Sequence, residues 1–329
     1  MSPAIRSLAF AALTLAACDK GVPEPTKSAT APVKSPAPPS ASATASAAVV
    51  PPTRLAAPAR IVAIGDLHGD LAATRATLKI AGAIDDADHW IGKDLMVVQT
   101  GDEIDRGDDD RKIIDLFDRL AEEAKAQGGA VIALNGNHEV MNVQLDFRYV
   151  TEGAHKDFAG VPGAMTMDPR LGRMPEDARA RAAAFLPGGP YAKKLARRNT
   201  IAVVGDTVFL HGGLLPKHVR YGIDRMNREM SAWMDGSARD VPAILTNEDG
   251  PVWQRRYSAA SDQEDCRVLK ETLALIPAKR MVVGHTVQRN GINAACDEQV
   301  WRIDVGLSKH YGGKPEVLEI KGDQVKALR

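Results

Sequence analysis

The sequence predicts an α/β fold, a mixed sheet or a pair of packed mixed sheets flanked by helices. Three observations carry this. Five short runs rich in Val, Ile or Leu each end in a polar, glycine-containing segment, a strongly amphipathic stretch separates the second run from the third, and hairpin signals come late in the chain. Strand and helix alternating early, with hairpins late, is the texture of a layered domain built around one core. With 329 residues of which 44% are hydrophobic, the chain can bury a sizeable core, and one large domain fits better than two.

The predicted strands are Ile61 to Gly65, Leu95 to Thr100, Ala130 to Leu134, Thr207 to Leu210 and Arg280 to Gly284. Asp108 to Gln127 places Ile113, Leu116, Phe117, Leu120 and Ala124 on one face, with acids at its start and Gly128 at its end, so it predicts an amphipathic helix. Ile201 to Val204 and Thr207 to Leu210 flank Gly205-Asp206 as a hairpin, and Glu316 to Leu328 forms another around Gly322-Asp323. Residues 145–198 carry few strand signals and fit a helical lid or a structural insertion equally.

The chain before Arg60 has a different composition. Arg6 followed by the short apolar run Leu8 to Ala17 reads as an export signal over residues 1–17, too short to span a bilayer as a helix. Leu15-Ala16-Ala17-Cys18 resembles the bacterial lipobox, which implies an exported, periplasmic or cell-surface lipoprotein anchored to a membrane through lipid on Cys18. Residues 18–59 are rich in Pro, Ala, Ser and Thr and predict a disordered tether, with the catalytic domain occupying 60–329. Lys+Arg and Asp+Glu are equal at 42 each, so no global field draws the protein to nucleic acid, and recognition of an anion must be local.

Chemistry-bearing residues follow the predicted strands directly. Gly65-Asp66-Leu67-His68-Gly69 follows the first, Gly101-Asp102-Glu103-Ile104-Asp105-Arg106-Gly107 the second, and Gly136-Asn137-His138-Glu139 the third. His211-Gly212-Gly213 and Gly284-His285-Thr286 close the late strands. Ligands bind outside the carboxyl ends of strands in such sheets, so five segments can converge on one place. Asp66 and His68, two apart on extended backbone, point the same way. A carboxylate such as Asp102 can bridge two cations, and Asn137, His211 and His285 add neutral donors. An oxygen and nitrogen set without thiolate suits Mn, Fe or Zn.

Taken together and in this order, the segments resemble the phosphoprotein phosphatase branch of the calcineurin-like metallophosphoesterases, whose pattern is GDxHG, GDxxDRG, GNHE, HGG and a late metal-binding His. The likeness spans Arg60 to about Ser308. In detail it is most similar to the bacterial Shewanella-like phosphatases, through Gly250-Pro251-Val252-Trp253-Gln254-Arg255, Met281-Val282-Val283-Gly284-His285-Thr286, and Arg302-Ile303-Asp304-Val305-Gly306 followed by Tyr311-Gly312-Gly313.

That resemblance implies two packed mixed β-sheets flanked by helices and two divalent metal ions, Mn foremost with Fe or Zn as alternatives. It assigns Asp66, His68 and Asp102 to one metal and Asp102, Asn137, His211 and His285 to the other. It implies direct attack of a metal-bound hydroxide on a phosphate monoester, phosphoprotein or small molecule. Arg106 and Arg255 would clamp the phosphoryl oxygens, with Arg256 taking over if the loop register shifts, and His138, oriented by Asp105, would protonate the leaving oxygen. Symmetrical diadenosine tetraphosphate hydrolysis and a non-catalytic surface lipoprotein are the alternatives.

Of the other residues, His89 and His218 read as surface histidines, Lys193-Lys194 and Arg197-Arg198 as solvated cations or, alternatively, as cations facing an anionic substrate, and Trp90, Trp233 and Trp301 as core; His155 and His310 have no assigned role. If Cys18 is acylated, Cys266 and Cys296 remain as an even pair, either bridged or two buried free thiols.

Overall fold

The computed structural model describes residues 50–329. The signal segment, Cys18 with its lipid, and the tether up to residue 49 lie outside the described residues. Among the described residues eleven strands follow one another as β1 (Arg54–Leu55), β2 (Ile61–Ile64), β3 (Met96–Gln99), β4 (Ala130–Ala133), β5 (Ile201–Val204), β6 (Thr207–Leu210), β7 (Arg280–Val283), β8 (Asn293–Ala295), β9 (Val300–Arg302), β10 (Val317–Lys321) and β11 (Gln324–Leu328). They form two mixed sheets, one of order β11-β10-β2-β3-β4 and one of order β1-β5-β6-β7-β9-β8. In the first, β2, β3 and β4 run parallel in direct register, Ile61 opposite Met96 and Met96 opposite Ala130, so their carboxyl ends lie side by side.

Period-two alternation explains why these residues form layers. On the six-stranded sheet, Ala202, Val204, Phe209, Val282 and Trp301 join the core that also holds Val62, Ile64, Val97 and Val98 of the five-stranded sheet. Their neighbours Ile201, Val203, Val208, Leu210, Met281, Val283 and Val300 face a second core with Met226, Met230, Leu269 and Leu273 of the helices Ile223–Met234 and Gln263–Leu275. Both faces of that sheet are therefore dry, and its strands read as continuous apolar runs. The helix Asp110–Ala126 buries Ile113, Leu116, Phe117, Leu120 and Ala124, the five residues of the predicted face.

The folded body begins earlier than Arg60. Arg54 and Leu55 pair with Val203 and Val204 in parallel, and Thr53 is buried. A proline-rich segment offers few N–H groups, so it is tied down through its acceptors: Asn199 Nδ2 donates to the carbonyls of Pro51 (3.2 Å) and Pro52 (3.3 Å), and Asn227 Nδ2 donates to Thr53 Oγ1 (3.0 Å). Composition alone predicted a tether through residue 59, because it does not register anchoring through acceptors.

Residues 145–198 hold the helices Glu152–Lys156, Arg179–Phe185 and Pro190–Leu195 and two 3₁₀ turns, with no strand. Two other expectations change. His218 is fully buried, its Nδ1 accepting from the Leu215 N–H at 3.0 Å. Arg198 is also buried, pairing with Glu103 (2.7 Å) and Asp118 (3.0 Å), while Lys194 pairs with Asp115 and Asp118. His89 is exposed, and Trp90, Trp233 and Trp301 are buried. Cys266 and Cys296 form a disulfide with Cα atoms 5.1 Å apart, joining the helix Gln263–Leu275 to the β8–β9 turn.

Candidate metal centre

The ligand-type residues come from loops at the carboxyl ends of strands in both sheets. Asp66 and His68 follow β2, Asp102 follows β3, Asn137 opens the helix after β4, His211 follows β6 and His285 follows β7. All six are buried. Asp102 is the hub: its Oδ2 lies 3.2 Å from His211 Nε2, 3.7 Å from His138 Nε2 and 3.9 Å from His68 Nε2. Asp66 Oδ2 is 3.9 Å from His68 Nε2. Among the described residues two groups can each hold a cation, His68–Asp102–His138 and Asp102–His211–His285.

Hydrogen bonds on the outer ring nitrogens set the tautomers. His68 Nδ1 donates to the Ile104 carbonyl (3.2 Å), His211 Nδ1 to the Thr100 carbonyl (3.2 Å) and His285 Nε2 to the Trp253 carbonyl (2.9 Å). A carbonyl only accepts, so each opposite nitrogen carries a lone pair toward the centre. There, His211 Nε2 lies 2.9 Å from His285 Nδ1 and 2.8 Å from Asn137 Oδ1. These are acceptors facing acceptors beside a carboxylate, a set with no donor of its own, and divalent cations fit it.

Electrostatics point the same way. Burial holds His68 down at about 3 and His285 well below its ordinary value, leaving both as neutral ligands. Burial, then the negative charges of Asp304 and Asp102, push Asp66 well up. Burial also works against the charge on Asp102, but His211 and His138, in their protonated forms, would hold its carboxyl well below the usual range. A pair of divalent cations would reverse the repulsion that raises Asp66.

The backbone is bent to bring these groups together. His68, Asp102, Asp105, Arg106 and His285 all have positive φ, between 47° and 69°. For residues with a Cβ this region costs roughly 1–2 kcal/mol each, and such strain gathers at functional sites. Glycine is required at two neighbours for a different reason: a Cβ on Gly136 would collide with the Asp102 carboxylate, and one on Gly284 with that of Asp66.

Beside this cluster His138 is paired with a buried carboxylate, Asp105. His138 Nδ1 donates to Asp105 Oδ2 at 2.6 Å, and its Nε2 faces Asp102 Oδ2 and Arg106 Nη2, the latter at 3.4 Å. Burial opposes protonation of His138, yet Asp102 and the Asp105 hydrogen bond outweigh it and raise its pKa. Arg106 has no ion pair among the described residues; its guanidinium lies between the rings of Tyr149 (4.8 Å) and Tyr311 (5.1 Å). Arg255 is exposed and donates from Nη1 to the His285 carbonyl and to Thr286 Oγ1. Arg256 is occupied elsewhere, paired with Asp265 at 2.6 Å.

Several residues here had no role assigned from sequence. Glu139 accepts from the N–H groups of Asp102, Glu103 and Gly136, bracing the loop after β3 against the start of the next helix. Asp304, after β9, is buried close to Asp66, and burial raises its pKa to about 6. Arg181, Asn142 and Asp110 surround Asp105. Glu139 carried a detectable signal, an acid three residues into a helix whose first N–H groups lack partners. Tyr311 appeared only within the Tyr311-Gly312-Gly313 segment of the resemblance, and Tyr149 and Arg181 carried no signal.

Neutral imidazoles around a shared carboxylate, next to an unpaired guanidinium, are the equipment of metal-dependent hydrolases that act on anionic esters. Residues 59–289 match the calcineurin-like phosphoesterase family. The chain is 42% identical to Shewanella-like protein phosphatase 2 of Arabidopsis thaliana, covering 82% of this chain and 77% of that protein. It is 30% identical to Shewanella-like protein phosphatase 1 of Plasmodium berghei, covering 82% and 74%. In fold it is similar to the cold-active protein-tyrosine phosphatase of a psychrophilic Shewanella, with a TM-score of 0.67, 23% identity and coverage of 85% and 83%. The chain belongs to the calcineurin-like phosphoesterases and, with that family, is a metal-dependent hydrolase of phosphoric esters.

Proposed function

We propose that the protein hydrolyses phosphate monoesters at a dinuclear centre. Asp66, His68 and Asp102 hold one ion, and Asp102, Asn137, His211 and His285 hold the other, with Mn foremost and Fe or Zn as alternatives. The observation that carries the proposal is the contact of lone pairs at 2.9 Å between His211 Nε2 and His285 Nδ1, beside the Asp102 carboxylate, whose Oδ2 lies 3.2 Å from His211 Nε2. Bound there, two divalent ions would supply a water acidic enough to act as nucleophile at neutral pH and positive charge for the phosphoryl oxygens.

The rest is done by side chains. Arg106 binds non-bridging oxygens by its free N–H edge, and Arg255 reaches the same phosphate from the opposite loop. His138 keeps its Nδ1 proton on Asp105 and delivers a proton from Nε2 to the leaving oxygen. It is not a metal ligand in this scheme, because a cation on Nε2 would sit against the Arg106 guanidinium 3.4 Å away. The names of the relatives, protein phosphatases, support a phosphoprotein or a small phosphate ester as substrate.

Export through residues 1–17 and anchoring through lipid on Cys18 remain part of the proposal. The Cys266–Cys296 bridge supports it, since disulfides persist in oxidising compartments. The test of function is a substrate panel on full-length protein reconstituted with Mn, Fe or Zn. Release of inorganic phosphate from p-nitrophenyl phosphate and a phosphopeptide is the expected result. Cleavage of diadenosine tetraphosphate without monoesterase activity overturns it.

A further inference from the structure

The His138–Asp105 pair has a third member drawn from the 145–198 insertion. Arg181 lies on the short helix Arg179–Phe185 and is completely buried, an unusual position for an arginine. Every edge of its guanidinium is used. Nε donates to Asn142 Oδ1 (2.7 Å), Nη1 to the Ala154 carbonyl (3.1 Å), and Nη2 to Asp105 Oδ1 (3.0 Å), with Asp110 Oδ2 at 2.7 Å. Phe158 and Phe185 lie 4.8 and 5.1 Å from its Cζ and exclude water.

The effect falls on the orientation of one carboxylate. Asp105 Oδ1 receives both Arg181 and Asn142 (2.9 Å), the Asp105 N–H is held by Asp110 (3.0 Å), and Asn142 also donates to the His138 carbonyl (2.9 Å). With Oδ1 and the backbone both tied, Oδ2 has one direction left, toward His138 Nδ1. Remove the guanidinium and two buried carboxylates, Asp105 and Asp110, face each other without a cation, so Asp105 must turn away or take up a proton. Either change releases the imidazole.

We propose that Arg181 is a positioning residue for the proton donor, fixing the Asp105 carboxylate against His138 so that the insertion sets how well the leaving group is protonated. This rests on the reading of His138 as the acid. In that role Arg181 matters in proportion to how much protonation a leaving group needs. A purely structural anchor would depress all substrates equally.

The experiment compares Arg181→Met, Arg181→Lys, Asp105→Asn and His138→Asn in full-length, metal-loaded protein, using an alkyl ester (glycerol 2-phosphate) and p-nitrophenyl phosphate. Arg181→Met is expected to lower kcat on the alkyl ester by on the order of ten- to a hundredfold, the scale for outer-shell partners of functional histidines. Its loss on p-nitrophenyl phosphate should be at least about fivefold smaller, because that leaving group needs little protonation. KM and metal content should stay near those of the unsubstituted protein. Arg181→Lys keeps the charge without the fork and should fall between. Equal losses on both substrates, or none, overturn the proposal when His138→Asn itself discriminates between them. If His138→Asn does not discriminate, the acid assignment fails first and the inference falls with it. Should Arg181→Met not fold, Arg181→Lys in the Asp105→Asn background decides: no further alkyl-specific loss supports action through Asp105, and a full additive loss overturns it.

Discussion

The histidines proposed as metal ligands and the proposed proton donor sit within a few ångströms of one another yet are held in place by different means. His68 and His211 are oriented by the main-chain carbonyls of Ile104 and Thr100, in the loop after β3, and His285 by that of Trp253, in the turns ahead of the helix Gln263–Leu275. His138 is oriented by a side chain, Asp105, which depends in turn on Asn142 and Arg181. The first arrangement uses main-chain acceptors only and is insensitive to most side-chain changes. The second depends on particular residues, one of them in a segment that connects strands without belonging to a sheet. On the proposed roles, binding the ions would rest on main-chain geometry, while handling the proton would be left to side chains that can be exchanged.

Substitutions at three positions test this contrast, in order of expected size. Asp102 belongs to both halves, being the hub of the ligand set and the acceptor of the His138 N–H at 3.0 Å. Asp102→Asn should lose most of the bound metal and more activity than the roughly hundredfold typical of an outer-shell change. Elemental analysis and phosphate release read this directly; full occupancy in the variant would remove Asp102 from the centre. Next, His138→Asn should cost about 10²–10⁴-fold in kcat on alkyl phosphates with both ions retained. Metal loss in that variant would merge the two halves into one. Smallest is the aromatic support of Arg106. Tyr149→Leu removes one ring of the pair and should raise KM roughly two- to fivefold, the scale of an exposed cation–π contact, while Tyr149→Phe keeps the low KM. Steady-state kinetics with p-nitrophenyl phosphate check it, and an unchanged KM in Tyr149→Leu would show that Tyr311 suffices.

The same contrast describes what could be read in advance. The convergence of the residues proposed as ligands was legible, because each sits in a short glycine-bearing segment directly after an apolar run, as with Asp66 and His68 after β2 or His211 after β6. The helix Asp110–Ala126 and the hairpin of β10 and β11 were legible for the same reason, since period and turn chemistry are local. Long-range partners left no local mark. Arg181 and Asp105 are 76 residues apart, and an arginine among alanines has the same appearance whether it faces solvent or a buried carboxylate. Arg198 was misread as solvated for this reason, its partner Glu103 lying 95 residues away. The three-residue strand β8 was too short to show a period at all.

The two-residue strand β1 has a consequence for handling the chain. It covers one edge of the six-stranded sheet, with the N–H groups of Val203 and Gly205 donating to the carbonyls of Thr53 (2.8 Å) and Leu55 (2.9 Å). A cut anywhere between Leu55 and β2 frees that strand and bares β5, whose residues Ile201, Ala202, Val203 and Val204 form an apolar run with unpaired donors along its rim. Such a rim is a template for strand addition by another chain. Trimming the N-terminal segment at residue 60 therefore turns a closed edge into an adhesive one, whereas trimming before Pro51 keeps the cover in place.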